Sequence, residues 1–144
     1  MLISRVKESN NALLEAFEKL LPQLSQSAKM PTEEYLASLL KNENIHLLVA
    51  EDEGEVVGML TLAVVDIPTG RKCWIEDVVV DGACRGRGIG EQLVEHSLTL
   101  ASQLGAKKVY LTSNPSRTAA HHLYRKCGFE EYDTTLFRIN FATK

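Results

Sequence analysis

Cysteine is too scarce and too scattered in this sequence to hold a fold together. Cys73, Cys84 and Cys127 are odd in number and contain no C-x-x-C pair, which leaves out a disulfide framework and a thiolate zinc site and points to a reducing, cytoplasmic compartment. Long apolar runs are missing too. No stretch approaches the roughly 18 apolar residues of a membrane-spanning helix, and Met1 to Lys7 lack the layout of a secretory signal. Neither secretion nor a membrane association is expected. Charge of one sign is not in excess: a net −3 over 144 residues offers no general attraction for nucleic acid or anionic lipid. Repeats, low-complexity segments and internal linkers are also absent, so residues 1–144 read as one domain. A domain of this size buries roughly 68% of the surface that its unfolded chain exposes.

What the chain does have is concentrated between Val78 and Leu93. A β-branched strand, Val78-Val79-Val80, runs into the basic, glycine-rich turn Arg85-Gly86-Arg87-Gly88-Ile89-Gly90, and an amphipathic helix follows. Alternate glycines let the backbone approach a ligand closely, and a helix starting near Gly88 aims its unpaired N–H groups and positive dipole end at that spot. Arg85 and Arg87 add two positive charges. The segment therefore reads as a cradle for phosphate or pyrophosphate.

Around it the periodicities predict α+β. Leu2 to Val6 reads as a strand. Leu13, Leu14, Phe17, Leu20 and Leu21 recur at helical spacing until Pro22, and Thr32 caps a second short helix. Ile45 to Ala50 and Val56 to Val65 form a hairpin about Asp52-Glu53-Gly54-Glu55, and Trp74 to Val80 is the next strand. The long helix after Gly88 ends at Gly105, and Val109 to Leu111 returns parallel to the preceding strand through a right-handed crossover. A helix from Ser116 to Gly128 follows, and the alternation of Leu136 to Phe141 predicts a closing strand. The expected architecture is a mixed, mostly antiparallel sheet with a central parallel pair and helices on both faces.

Two familiar glycine loops fail at Gly86 to Gly90. No Gly-Lys-Ser or Gly-Lys-Thr follows, as a P-loop requires, and Glu91 stands where a dinucleotide fingerprint needs glycine or alanine. What remains is R-x-x-G-x-G, from Arg85 through Gly88 to Gly90. It resembles the acyl-CoA-binding motif of the GNAT superfamily of N-acetyltransferases. The Ile-Glu-Asp-Val-Val-Val strand before the loop, Tyr124 in the later helix and the terminal Gly128-Phe129 match as well. The resemblance implies acetyl-CoA as co-substrate, with Val78, Val79 and Val80 along the pantetheine arm and Arg85 with Gly86 to Gly90 on the pyrophosphate. Asn114, Ala120 and Tyr124 would flank the arm on its other side. The family's usual asparagine at the start of the tyrosine helix is replaced here by Thr118.

Acetyl transfer to an amine needs a base for the amine, donors for the thioester oxygen and an acid for the leaving thiolate. A phenol of pKa about 10 suits a thiolate whose acid has a pKa of about 8.5, which makes Tyr124 the candidate acid. Val79 or Val80 would supply a backbone donor. Glu76 and Asp77 are the candidate bases, and strict alternation favours Glu76, which shares parity with Val78 and Val80. Either carboxylate could instead pair with Arg71 or Lys72. His121 and His122 are adjacent rather than spaced by a helical turn, so no metal is expected. The acceptor is a small-molecule or peptide amine of unspecified class. A non-catalytic acyl-CoA sensor is the competing reading, and the closing strand raises the expectation of a homodimer.

Overall fold

The computed structural model describes residues 1–142. The alternating apolar pattern after residue 44 folds into two long antiparallel strands, β2 (Ile45–Asp52) and β3 (Glu55–Ile67). Between them Glu53 and Gly54 both take left-handed backbone, with φ of 52° and 79°, the two-residue turn that matches strand twist. β1 (Leu2–Arg5) pairs antiparallel with β2, and β4 (Gly70–Val80) pairs antiparallel with β3. β5 (Val109–Tyr110) adds parallel to β4, which completes the order β1-β2-β3-β4-β5. The mixed sheet with one parallel pair is the one expected from the sequence.

Helices cover both faces. α1 (Asn11–Leu24) and α2 (Glu33–Lys41) begin at side-chain caps: Asn10 accepts the Leu13 N–H at 2.8 Å and Thr32 accepts the Tyr35 N–H at 3.1 Å. α1 does not stop at Pro22 but continues to Leu24, because a proline in the last turn forgoes a single N–H bond and Ser25 still closes on the Leu21 carbonyl at 3.1 Å. These two helices bury Leu13, Leu20 and Leu36 against Leu47, Met59 and Val79. On the opposite face α3 (Ile89–Gln103) buries Leu93 and Val94 against Leu48, Leu60, Leu62 and Ile75. α4 (Thr118–Lys126) lies beyond α3 and buries only Tyr124.

β4 is not a regular strand. Thr61 pairs with Glu76 and Met59 with Val79, so Asp77 and Val78 together oppose Leu60 alone. Asp77 sits at φ 51° to make this bulge. Its consequence is an inverted alternation: Ile75 faces the α3 core, and Val79, four residues on, faces the α1–α2 core. Two residues facing opposite ways across an even spacing require one extra residue between them.

The segment Leu136 to Phe141 departs from expectation. Among the described residues it pairs with no strand of the sheet, and its Leu136, Phe137, Ile139 and Phe141 side chains stand in solvent. Alternation is a local signal, whereas a strand also needs a neighbour to bond with.

The bulge makes a direct prediction. Asp77→Val should destabilise the protein by about 1–2 kcal/mol relative to Asp77→Gly, because a β-branched residue resists left-handed backbone that glycine accepts. Urea unfolding of the two variants checks this.

Candidate active site

β4 and β5 pair only at Cys73 with Val109 and Trp74 with Tyr110, although β4 runs on to Val80. Past Trp74 the two strands part. A cavity of about 860 Å³ lies at the far end of β4, large enough for an extended cofactor. It is lined on one side by Val78, Val79 and Val80, on another by Arg85, Gly86, Gly88, Ile89 and Gly90, and across from these by Ala120, Leu123 and Tyr124.

The loop is shaped to offer backbone donors. Asp81 anchors it by accepting the Ala83 N–H at 3.2 Å, and a single 3-10 turn spans Gly82–Cys84. Gly86 and Gly88 then take φ of 80° and 75°, and Gly88 starts α3 with no side-chain cap. Among the described residues, the N–H groups from Gly86 to Glu91 meet no protein acceptor. A row of bare donors at a helix N-terminus fits a pyrophosphate. Gly90 has a different reason to be small: a Cβ there would meet Leu123 Cδ1 at 3.1 Å, so glycine lets α4 close against α3.

The charges around the loop are sorted. Arg85 faces the cavity and has no ion-pair partner among the described residues. Arg87 turns away to Asp52, and the hydrogen bond it donates holds that carboxyl below the usual range. Glu91, in the first turn of α3, is held by Lys126 Nζ at 3.0 Å, which offsets its charge beside the glycine loop.

Tyr124 is 8% exposed, and burial raises its phenol pKa, opposed by the nearby positive charge of Arg117. Phe129 packs edge-on against its ring at 6.0 Å and donates its N–H to the Tyr124 carbonyl at 3.0 Å. The Gly128-Phe129 pair thus fixes the end of α4 and the pose of the tyrosine. Tyr124 borders the cavity, and among the described residues its hydroxyl makes no hydrogen bond.

Three sequence-predicted residues lie off the cavity wall. Arg87 is engaged with Asp52. Asn114 accepts both the N–H and the hydroxyl of Ser116, at 2.9 and 2.8 Å, and so organises the turn into α4. Glu76 lies on the sheet face opposite Val78 and Val80, because the bulge reverses the parity that strict alternation assigns it. Its carboxyl pKa is raised, chiefly by burial and further by the charge of Asp77.

The structure also brings in residues with no signal in the sequence. Gln23 and Leu24, at the end of α1, line the cavity, and Gln23 bridges the loop by accepting the Gly82 N–H at 2.7 Å and donating to Asp81 at 3.3 Å. Ser116, Arg117, Thr118 and Ala119 complete the wall before α4.

A splayed parallel pair with a helix-start anion cradle in its opening is the architecture of an acyltransferase. The Acetyltransferase (GNAT) family model matches residues 10–129, and the chain belongs to that family. It is an N-acetyltransferase, and the family draws its acetyl group from acetyl-CoA. A glucosamine 6-phosphate N-acetyltransferase of Oryza sativa subsp. japonica is 38% identical over 117 residues, covering 76% of this chain and 67% of the relative. An aminoalkylphosphonate N-acetyltransferase of Salmonella typhimurium is 34% identical over 98 residues, covering 66% of this chain and 63% of the relative. Among solved structures, a putative acetyltransferase from Agrobacterium tumefaciens superimposes with a TM-score of 0.85 at 27% identity, covering 97% of this chain and 99% of the other.

The cradle predicts two separable losses, both measured by calorimetric titration with acetyl-CoA. Gly88→Ala should cost about 1–2 kcal/mol of stability and weaken binding, although its Cβ meets no neighbour within 4 Å. Arg85→Ala should weaken binding by about tenfold, and Arg87→Ala by much less.

Proposed function

We propose that this chain acetylates a small primary amine by direct attack on the thioester within a ternary complex. The observation that carries the reading is that the loop with its row of bare N–H groups and Tyr124 line one cavity. In this reading Arg85 and the amides of Gly86 to Gly90 hold the pyrophosphate, and the backbone of β4 from Val78 to Val80 guides the pantetheine arm. A Val79 or Val80 N–H in the opening between β4 and β5 steadies the charge that develops on the carbonyl oxygen.

Glu76 takes the proton from the amine, directly or through a water, as the new C–N bond forms. Tyr124 gives its proton to the sulfur as the C–S bond breaks. No acyl-enzyme is formed, and no nucleophilic side chain is needed. Burial acts on both groups in a useful sense: it raises Tyr124, which keeps the phenol protonated, and raises Glu76, which makes it a stronger base.

Activity then requires Glu76 ionised and Tyr124 protonated. The rate should fall as pH drops through a Glu76 pKa above the ordinary carboxylate range, and again as pH rises through a Tyr124 pKa above the ordinary phenol range. Thiol release from acetyl-CoA tests the assignment. Tyr124→Phe should lower kcat about 100- to 10,000-fold with little change in coenzyme affinity, and Glu76→Gln should abolish the acidic limb. Unchanged turnover in Tyr124→Phe would remove the tyrosine from the mechanism.

The acceptor approaches on the α1–α2 face of β4, where Glu76 lies. Two residues back, Trp74 stacks on Tyr110 at 5.1 Å, and Lys72 Nζ lies 5.8 and 5.6 Å from the two ring centres. Lys72 has no carboxylate partner among the described residues. An aromatic floor with a free cation and a base suits an amine that also bears an anionic group, the pairing in the names of the rice and Salmonella relatives. Phosphate- or phosphonate-bearing amines should outperform their neutral analogues in kcat/KM. Lys72→Gln should erase most of that preference without touching turnover of the neutral analogue.

A further inference from the structure

A tyrosine that gives up its proton at position 124 becomes an anion in a place poorly suited to hold one. The side chain is 8% exposed, its hydroxyl makes no hydrogen bond among the described residues, and burial favours the neutral phenol. Nor does the helix help. Tyr124 lies in the last turn of α4, far from the positive end of the helix dipole, whose effect fades within the first turn.

Arg117 is placed to supply the missing charge. It opens α4, and the spacing from position 117 to position 124 is close to two whole helical turns, so both side chains leave the helix on the same side. Helical side chains lean toward the N-terminus, which carries the phenol back toward the guanidinium. Ala120 stands between them, its methyl group too short to screen one from the other, and all three residues line the cavity. The Arg117 side chain is exposed and makes no ion pair or hydrogen bond among the described residues. Its charge acts on the phenol against the effect of burial.

The other groups around Tyr124 do not fill this role. The glycine loop presents Cys84 and Arg85 to the cavity, with Arg85 across from the tyrosine. α3 presents Glu91, whose carboxylate is tied to Lys126, and β4 presents the apolar Val78, Val79 and Val80. On α4 itself His121 and Cys127 stand about one turn to either side of Tyr124, and neither lines the cavity.

On the reading of Tyr124 as the acid, we propose that Arg117 is a positioning residue for that step, the counter-charge for the tyrosinate that forms as the coenzyme sulfur departs. The C–S bond breaks, its electron pair stays on sulfur, and sulfur takes the phenol proton. A free thiol and a tyrosinate result, and solvent returns a proton to Tyr124 before the next cycle. Arg117 stabilises the tyrosinate and leaves the neutral phenol almost untouched, so it speeds the step without holding either substrate.

The test is kcat for thiol release across pH, at saturating acetyl-CoA and a phosphate-bearing amine, with coenzyme affinity measured by calorimetry. Arg117→Gln should lower kcat about 3- to 10-fold and move the alkaline fall in rate to higher pH, since a phenol without its counter-charge is a weaker acid. Acetyl-CoA affinity should change by less than about threefold, the exposed charge being screened from the coenzyme. Arg117→Lys keeps the charge and should restore most of the rate and the original alkaline limb. Added salt should slow the unaltered protein toward Arg117→Gln and leave the kcat of that variant in place. An alkaline limb that stays put in Arg117→Gln overturns the proposal, and a large loss of affinity beside it would make Arg117 a phosphate ligand instead. Tyr124→Phe separates the two ways to fail. Full turnover in that variant removes the acid reading and this role with it, whereas a slow Tyr124→Phe beside an unmoved Arg117→Gln limb removes the role of Arg117 alone.

Discussion

The site depends on the parting of β4 from β5. Two pairs of residues hold the parallel strands together at Cys73 and Trp74, and then β4 continues to Val80 paired with β3 but with no strand on its other side. A strand edge without a neighbour has free N–H and C=O groups. In most sheets that would be a defect to be covered. Here it lines a cavity, so the backbone itself becomes the surface that a linear ligand can bond to. The bulge at Asp77 belongs to the same device, because it lets β4 face one core through Ile75 and the other through Val79.

The proposed anion cradle leaves groups unsatisfied in one place and satisfies those around it. Gly86 and Gly88 take left-handed backbone, and α3 begins without a side-chain cap. Its donors are therefore free for a ligand rather than spent on the protein. Nearby charge is managed by ion pairs. Lys126 offsets Glu91, and Asp52 draws Arg87 aside, while Arg85 stays on the cavity wall. Both ion pairs bridge segments far apart in the chain, so the potential at the loop belongs to the folded molecule rather than to the motif.

Much of the fold was legible because its signals are local. The Thr32 helix cap, the Glu53-Gly54 turn and the α3 periodicity each depend on a few neighbouring residues. The same is true of the loop, whose glycine spacing signals the left-handed turn before α3. What was misread required a partner. Strict alternation put Glu76 with Val78 and Val80, and one extra residue in β4, visible only against β3, moved it to the other face. Alternation also made a strand of Leu136 to Phe141, which among the described residues is not part of the five-stranded sheet. Asn114 looked like a ligand contact, yet its acceptor is engaged with Ser116 in the turn that launches α4.

The sequence by itself determined the class of fold, the glycine turn before α3 and the tyrosine helix, since glycine conformational freedom, helix periodicity and capping act over a few residues. Only the tertiary structure decided which of those residues share a cavity, which face Glu76 occupies and which arginine is free. Those outcomes turn on strand register and on ion pairs such as Arg87 with Asp52 and Lys126 with Glu91. Contacts of that kind join residues that sequence distance separates and folding brings together.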